Sequence, residues 1–303
     1  MHKQVWNNRI NFRKMETSEL LKRVRQIEIK TRGLSNNIFA GQYHSAFKGR
    51  GMSFAEVREY QVGDDVRDLD WNVTARLNRP HIKVFEEERE LTVMLLIDVS
   101  GSLDFGTHGR TQRDLTAEIA ATLAFSAIQN NDKIGVIFFS DHVEKFIPPK
   151  KGRKHILYII RELLDFKPQS IRTNVGASIE FLMNVAKRKC ISFLISDFID
   201  DKDYSTALLV ANRKHDIVGI RVYDKRMEEL PSVGLMKVFD AETGHEQYVD
   251  TSSKRVRDMH RQWWTNSTQH LEMMFRKCNV DFASVRTDGD YVTALMNLFA
   301  KRF

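Results

Sequence analysis

Three oxygen-bearing side chains stand at alternate positions, Asp98, Ser100 and Ser102, in the string Asp98-Val-Ser100-Gly-Ser102. A carboxylate and two hydroxyls at that spacing can be aimed at one point by a tight turn, and Gly101 supplies the backbone freedom such a turn needs. Oxygen-only donors suit a hard cation, Mg²⁺ or Mn²⁺, rather than zinc. The same residue types are ordinary turn and N-cap formers, so the string alone leaves both readings open. Two more oxygens stand where a parallel sheet would bring them to the same edge. Asp197 follows a second apolar run. Thr173 lies just ahead of a helical pattern, where its hydroxyl either caps the helix or points at an anion or metal site.

These side chains need a sheet to carry them. Leu91-Thr-Val-Met-Leu-Leu-Ile97 is an almost unbroken apolar run that stops at Asp98. That pattern predicts a strand buried on both faces of a parallel sheet, and in open α/β sheets ligands bind beyond the carboxyl ends of the strands. Further strands are predicted at Lys133–Phe139, Cys190–Ile195, Asp216–Val222 and Asp281–Val285, with Val143–Ile147 as a hairpin partner ending at Pro148-Pro149. Helices are predicted between them. Arg113–Asn130 carries Leu115, Ile119, Leu123 and Ala127 on one face. Others run over Arg153–Leu164, from just after Asn174 through Lys187, over Lys202–Lys214 and Tyr291–Phe303, and over Ser253–Cys278 with Val256, Met259, Trp263 and Leu271 inward. Of Trp263 and Trp264, at least one is expected to pack in the core. Leu235–Asp240 and Gln247–Asp250 form a hairpin through Glu242-Thr-Gly244.

Residues 1–90 are a separate organisational unit ahead of a 91–303 domain that carries a hairpin insertion near 225–250. Ser18 opens a helix with Leu20, Leu21, Val24 and Ile27 on one face. A Gly-rich basic segment follows from Gly41 to Gly51. Then Arg58, Arg67 and Arg76 alternate with Asp64, Asp65, Asp68 and Asp70 around a Gly63-Asp64 turn. That density of opposite charge predicts bidentate arginine–carboxylate pairs holding a compact subdomain, in preference to a catalytic carboxylate cluster. Pro80–Phe85 is a strand, and Glu86–Glu90 a charged connector.

Composition narrows the function classes. With 303 residues the chain is long enough for a sizeable core. Net charge is +7, but the 47 basic residues are mixed among 40 acids, without the basic, aromatic-interleaved runs of a nucleic-acid binder. No stretch reaches the ~18 apolar residues of a membrane span, and the start has no secretory apolar region, so a cytoplasmic location is expected. Cys190 and Cys278 are the only cysteines, and reduced buried thiols are expected of both. His142 is expected to be a solvated loop residue. No G-x-S-x-G elbow, Walker lysine loop or H-E-x-x-H is present. An aspartyl-nucleophile phosphotransferase or hydrolase using Asp98 needs a second Asp two residues on, where Ser100 stands. The chain is therefore expected not to be an enzyme. That phosphotransferase and a metal-free scaffold are the alternatives.

With those residues in view, Asp98–Ser102, Thr173 and Asp197 resemble the metal-ion-dependent adhesion site of von Willebrand factor A domains. The string Arg58-Glu-Tyr60 … Gly63-Asp64-Asp65-Val-Arg67-Asp68-Leu-Asp70-Trp71 … Ala75-Arg76 resembles the signature of a bacterial group, domain of unknown function family 58. Asp240-Ala-Glu-Thr-Gly244 and Arg286-Thr-Asp-Gly-Asp-Tyr291 fit it as well. The resemblance implies an α/β, Rossmann-like von Willebrand factor A domain, with a mostly parallel sheet flanked by helices and a small family-specific segment ahead of it. It implies that Asp98, Ser100 and Ser102 lie in a first loop, Thr173 in a second and Asp197 in a third. The hydroxyls would bind Mg²⁺ directly, the aspartates partly through water, and a partner's carboxylate would complete the octahedron. It further implies a protein-interaction adaptor working with a MoxR-type AAA+ ATPase in protein maturation, complex assembly or stress tolerance. Two positions depart from the pattern: Ile171-Arg172 precedes Thr173 where glycines are common, and Phe198 follows Asp197 where glycine is common.

Overall fold

The computed structural model describes residues 17–34, 43, 52–87, 91–107, 109–239 and 246–302. The predicted turns and connectors at 41–51 (Tyr43 apart), 88–90 and 240–245 lie outside the described residues, as does Phe303.

Ten strands are described. Strands β1 (Met52–Glu59) and β2 (His81–Glu87) pair antiparallel. The central sheet is built from β3 (Thr92–Asp98), β4 (Lys133–Phe139), β5 (Val143–Lys150), β6 (Ile191–Ser196), β7 (Asp216–Tyr223) and β10 (Asp281–Arg286), in the order β10-β7-β6-β3-β4-β5. Strands β8 (Leu235–Phe239) and β9 (Glu246–Asp250) form the predicted second hairpin. Only β5 runs against its neighbour in the central sheet. With its six strands numbered in chain order from β5's edge, that sheet reads 3-2-1-4-5-6, the doubly wound order whose direction of growth reverses between β3 and β6. The apolar run ending at Asp98 is the central strand, and Val93 to Ile97 are all at most 1 % exposed. β5 continues through Pro148 and Pro149 to Lys150. Two prolines are tolerated there because β5 is an edge strand with one unpaired side.

Helices cover both faces. On one lie Gln112–Gln129, Arg153–Asp165 and Tyr291–Ala300, and on the other Val175–Val185, Ser205–Lys214 and Lys254–Lys277. Helix Gln112–Gln129 starts at a capping box in which the Thr111 side chain accepts from the Asp114 amide and Asp114 accepts from the Thr111 amide. Its predicted inner face is buried, and so is nearly every other side chain from Gln112 to Ala127. The reason is a further layer. Helix Thr17–Leu34 lies across it and adds Leu20, Val24 and Ile27 to the same core. Arg23 pairs with Asp114 at 3.1 Å and Lys30 with Glu118 at 2.6 Å. Leu21, expected on the packed face, points outward and is 55 % exposed.

The β1–β2 unit contributes no described side chain to either core cluster. Its charges form one bidentate pair, Arg58 to Asp64 at 2.7 and 2.8 Å. Hydrogen bonding to Arg58 holds the Asp64 carboxyl below its ordinary range. The other acids depart from the expected lattice of arginine pairs. Asp65 caps the short 3-10 turn Val66–Asp68, and Asp70 caps helix Trp71–Leu77 while facing Lys83 at 3.7 Å. Backbone amides outcompete guanidinium groups for these carboxylates because they are only two or three residues away.

The long helix Lys254–Lys277 buries Trp264, Leu271 and Phe275, whereas Met259 and Trp263, expected inward, are exposed. Gly219 in β7 makes that packing possible: a Cβ there would lie 2.4 Å from the Phe275 ring. Gly219→Ala is therefore expected to displace the ring and cost about 1–3 kcal/mol, measured as a lower urea midpoint at unchanged slope. A midpoint equal to wild type would mean that the ring yields freely.

Candidate metal-binding site at the switch point

Asp98 ends β3 and Asp197 follows β6, so the two carboxylates flank the place where the sheet reverses its direction of growth, the crevice in which doubly wound folds bind ligands. Both are buried, Asp98 at 1 % and Asp197 at 3 % exposure. Asp98 Oδ1 accepts from the Ser100 amide at 2.9 Å, and Oδ2 accepts from the Ser196 hydroxyl at 2.6 Å. The Ser100 and Ser102 hydroxyls lie 3.2 Å apart. Asp197 Oδ1 accepts from the Ile199 amide at 3.0 Å, while its Oδ2 is buried without a hydrogen-bond partner among the described residues.

The first loop is fixed at both ends. After Ser100 the chain makes a 3-10 turn, Gly101–Asp104, and Arg113 holds Asp104 at 2.8 Å while donating to the Leu163 and Phe166 carbonyls. Further on, Asp224 after β7 accepts from the Thr107 amide and from the hydroxyls of Thr107 and Thr287. Thr287 belongs to the Arg286–Tyr291 string, whose Asp290 caps the last helix. That string is thus structural, tying the first loop to the ends of β7 and β10.

The second loop reaches the first through a bond from the Gly101 amide to the Ile171 carbonyl at 3.1 Å. Glu144 of β5 accepts from the Gln169 and Ser170 amides and from Ser140. Helix Val175–Val185 is capped by Asn174, whose side chain accepts from the Ala177 amide. Thr173 is therefore not the cap. It is buried, 5 % exposed, one loop away from Ser100 and Ser102.

The third loop departs from glycine at position 198 yet keeps the backbone that glycine favours. Phe198 has φ +58°, in the left-handed region, at a cost of roughly 1–2 kcal/mol for a non-glycine residue. Its ring is held against Phe275 and Phe282, with centroids 5.1 and 5.9 Å away. Arg221, in β7 beside Ser196, donates from Nε to the Asp197 carbonyl at 3.1 Å. Sequence patterning does not single out Ser196, Glu144 or Arg221. For Arg221 a signal exists: it is the one charge inside the apolar run Ile217-Val-Gly-Ile-Arg-Val-Tyr223.

The electrostatics follow from burial. Loss of hydration pushes the Asp98 carboxyl up to about 7, and the nearby Asp197 charge adds to the effect against the hydrogen bonds from Ser196 and Ser100. Asp197 is also raised by burial, opposed by bonds from Ile199 and Ser102 and by the Arg221 charge. Two desolvated carboxylates side by side attract a proton or a cation. The donor set fits a hard divalent ion: two carboxylates, two hydroxyls, a third hydroxyl on the adjoining loop, and one buried carboxylate oxygen with lone pairs to give. Among the described residues no group of three or more His, Cys, Asp or Glu side chains has metal-site geometry.

The family model "Protein of unknown function DUF58" matches residues 56–270. The chain belongs to this family. Among relatives, it is similar to "Uncharacterized protein Rv1480" of Mycobacterium tuberculosis, 29% identical over 292 residues that cover 95% of this chain and 91% of the relative. Two solved structures are similar in fold. The conserved hypothetical protein BatB from Bacteroides thetaiotaomicron has TM-score 0.44 at 12% identity, covering 70% of this chain and 98% of that one. The SpRpn10 VWA domain has TM-score 0.38 at 10% identity, covering 70% and 94%. In this family member the signature string maps onto the β1–β2 unit, and the D-x-S-x-S string onto the loop after β3. No described helix is long and apolar enough to cross a membrane.

Proposed function

We propose that this member of the family is a non-enzymatic protein-interaction module whose contact depends on a divalent cation, Mg²⁺ or Mn²⁺. Asp98, Ser100, Ser102, Thr173 and Asp197 would hold the ion, which would supply an electrophilic position for a carboxylate of the partner. The observation that carries this reading is the buried carboxylate pair with one unpaired Asp197 oxygen, set beside two hydroxyls at the switch point. With two carboxylates and otherwise neutral hydroxyl donors, the ion would keep an open coordination position that a carboxylate from outside can fill as a charge-assisted contact. Ser100 standing two residues after Asp98 leaves a phosphoryl-transfer reaction without its acid/base carboxylate, which supports binding over catalysis.

The partner proposed is a MoxR-type AAA+ ATPase, or a client protein handed to it, in the cytoplasm, in protein maturation, complex assembly or stress tolerance. The test is affinity capture from native lysate with immobilised wild type and Asp98→Ala, each in Mg²⁺ and in chelator. A MoxR-type ATPase retained only by wild type in Mg²⁺ is the expected result. An identical captured set in all four samples overturns the metal-dependent contact. Mg²⁺-dependent ester hydrolysis lost in Asp98→Ala overturns the non-enzymatic assignment.

A further inference from the structure

The third loop carries one of the two buried carboxylates, yet it is held from outside itself. Arg221 is 3 % exposed, stands opposite Ser196 in the sheet register, and reaches across to the third loop and to the long helix. Nε donates to the Asp197 carbonyl at 3.1 Å, Nη1 donates to Thr268 Oγ1 at 2.8 Å, and the guanidinium lies over the Trp264 ring at 4.1 Å. Trp264 and Thr268 are one turn apart on helix Lys254–Lys277. Phe275, further along that helix, packs on Phe198 of the same loop. Two independent contacts thus register the loop to one helix, a polar one through Arg221 and an aromatic one through Phe198.

We propose that Arg221 is a positioning residue for the metal site: it clamps the Asp197 loop to helix Lys254–Lys277 and thereby sets the affinity for the cation. The inference rests on the reading of the site as a divalent-cation site. Arg221 binds neither ion nor partner. It donates to a backbone carbonyl, leaving the Asp197 carboxylate available. A planar fork stacked on an indole while bonding in two directions is a task that lysine cannot perform, so charge and geometry separate cleanly.

They separate in sign as well. A resident positive charge repels an incoming cation. If Arg221 acted only as a charge, Arg221→Met would bind Mn²⁺ more tightly and Arg221→Lys would match wild type. Clamping predicts the reverse, with both variants binding more weakly because Asp197 leaves its place.

The experiment is Mn²⁺ titration of the full chain, reading free Mn²⁺ by electron paramagnetic resonance, for wild type, Arg221→Met, Arg221→Lys, Thr268→Val and Asp98→Asn, with cooperative thermal melts recorded for each. The expected result is about tenfold weaker binding in both Arg221 variants, a smaller two- to threefold loss in Thr268→Val, and no measurable Mn²⁺ binding at all in Asp98→Asn. Affinity equal to or tighter than wild type in either Arg221 variant overturns the clamp, as does a lowered melting temperature with unchanged affinity of the folded protein. If wild type binds no Mn²⁺, the cation reading fails separately. The clamp is then decided by amide exchange at Phe198 and Ile199: faster exchange in Arg221→Met supports it, and an unchanged rate overturns it.

Discussion

Replacing Asp98 with asparagine is expected to raise the melting temperature of the metal-free protein at pH 8 and to abolish its response to Mg²⁺. The carboxyl is pushed from an ordinary 3.8 to about 7 by burial and by Asp197, so above pH 7 the folded protein carries a charge it would rather not carry. At about 1.4 kcal/mol per pKa unit the ceiling on that cost is ~4 kcal/mol. Asparagine keeps an acceptor for the Ser100 amide but disturbs the bond from Ser196, a loss of ~1–2 kcal/mol. The net gain is about 2 kcal/mol, a few degrees of melting temperature. The sign with pH follows. A carboxyl raised on folding means that the folded state binds more protons than the unfolded one, so stability falls as pH rises from about 4 through 7. The cation reverses this, because it binds the ionised pair, and its stabilisation therefore grows over the same window. Melts of wild type and Asp98→Asn at pH 5, 6, 7 and 8, with Mg²⁺ and with chelator, check all of this. A Mg²⁺ shift that survives in Asp98→Asn would falsify the assignment of the site.

The largest loss of stability is expected at Phe275. It is fully buried and stacks on Phe282 with centroids 4.6 Å apart, over the gap left by Gly219, and it supports the ring of Phe198. Phe275→Ala removes the buried ring and leaves a cavity, about 3–5 kcal/mol. The third loop suffers twice, since the left-handed backbone at Phe198 persists only while its ring is gripped. Urea unfolding should show a much lower midpoint, and amide exchange should rise at Phe198 and Ile199 more than at the Val93–Ile97 strand. Equal effects at both places would show that the ring supports the core generally and not the loop.

How far the sequence specifies this molecule is visible residue by residue. The strand ending at Asp98 is legible because burial on both faces leaves no room for polar alternation, and the alternate Asp, Ser, Ser oxygens stand out against it. Thr173 and Asp197 are legible only by their places at element ends. Arg221 escapes because its partners, a carbonyl across one strand and an indole 43 residues later, are long-range contacts that periodicity does not carry. Met259 and Trp263 fit a helical face but not the buried one, which lies one residue further round at Trp264. Periodicity shows that a helix has an apolar side; it cannot show that helix Gln112–Gln129 is covered from above as well as below.

That extra cover has a consequence during synthesis. Helix Thr17–Leu34 is made before the surface it packs against, which belongs to residues around 114, 118 and 153. At roughly 5–20 residues per second, several seconds of translation separate the helix from its docking site. Through that interval Leu20, Val24 and Ile27 have no finished core to enter, and the nascent chain presents them to whatever else is near the ribosome exit. Chaperone dependence in the cell should therefore track this helix more closely than any element of the central sheet, although the sheet holds far more of the buried surface.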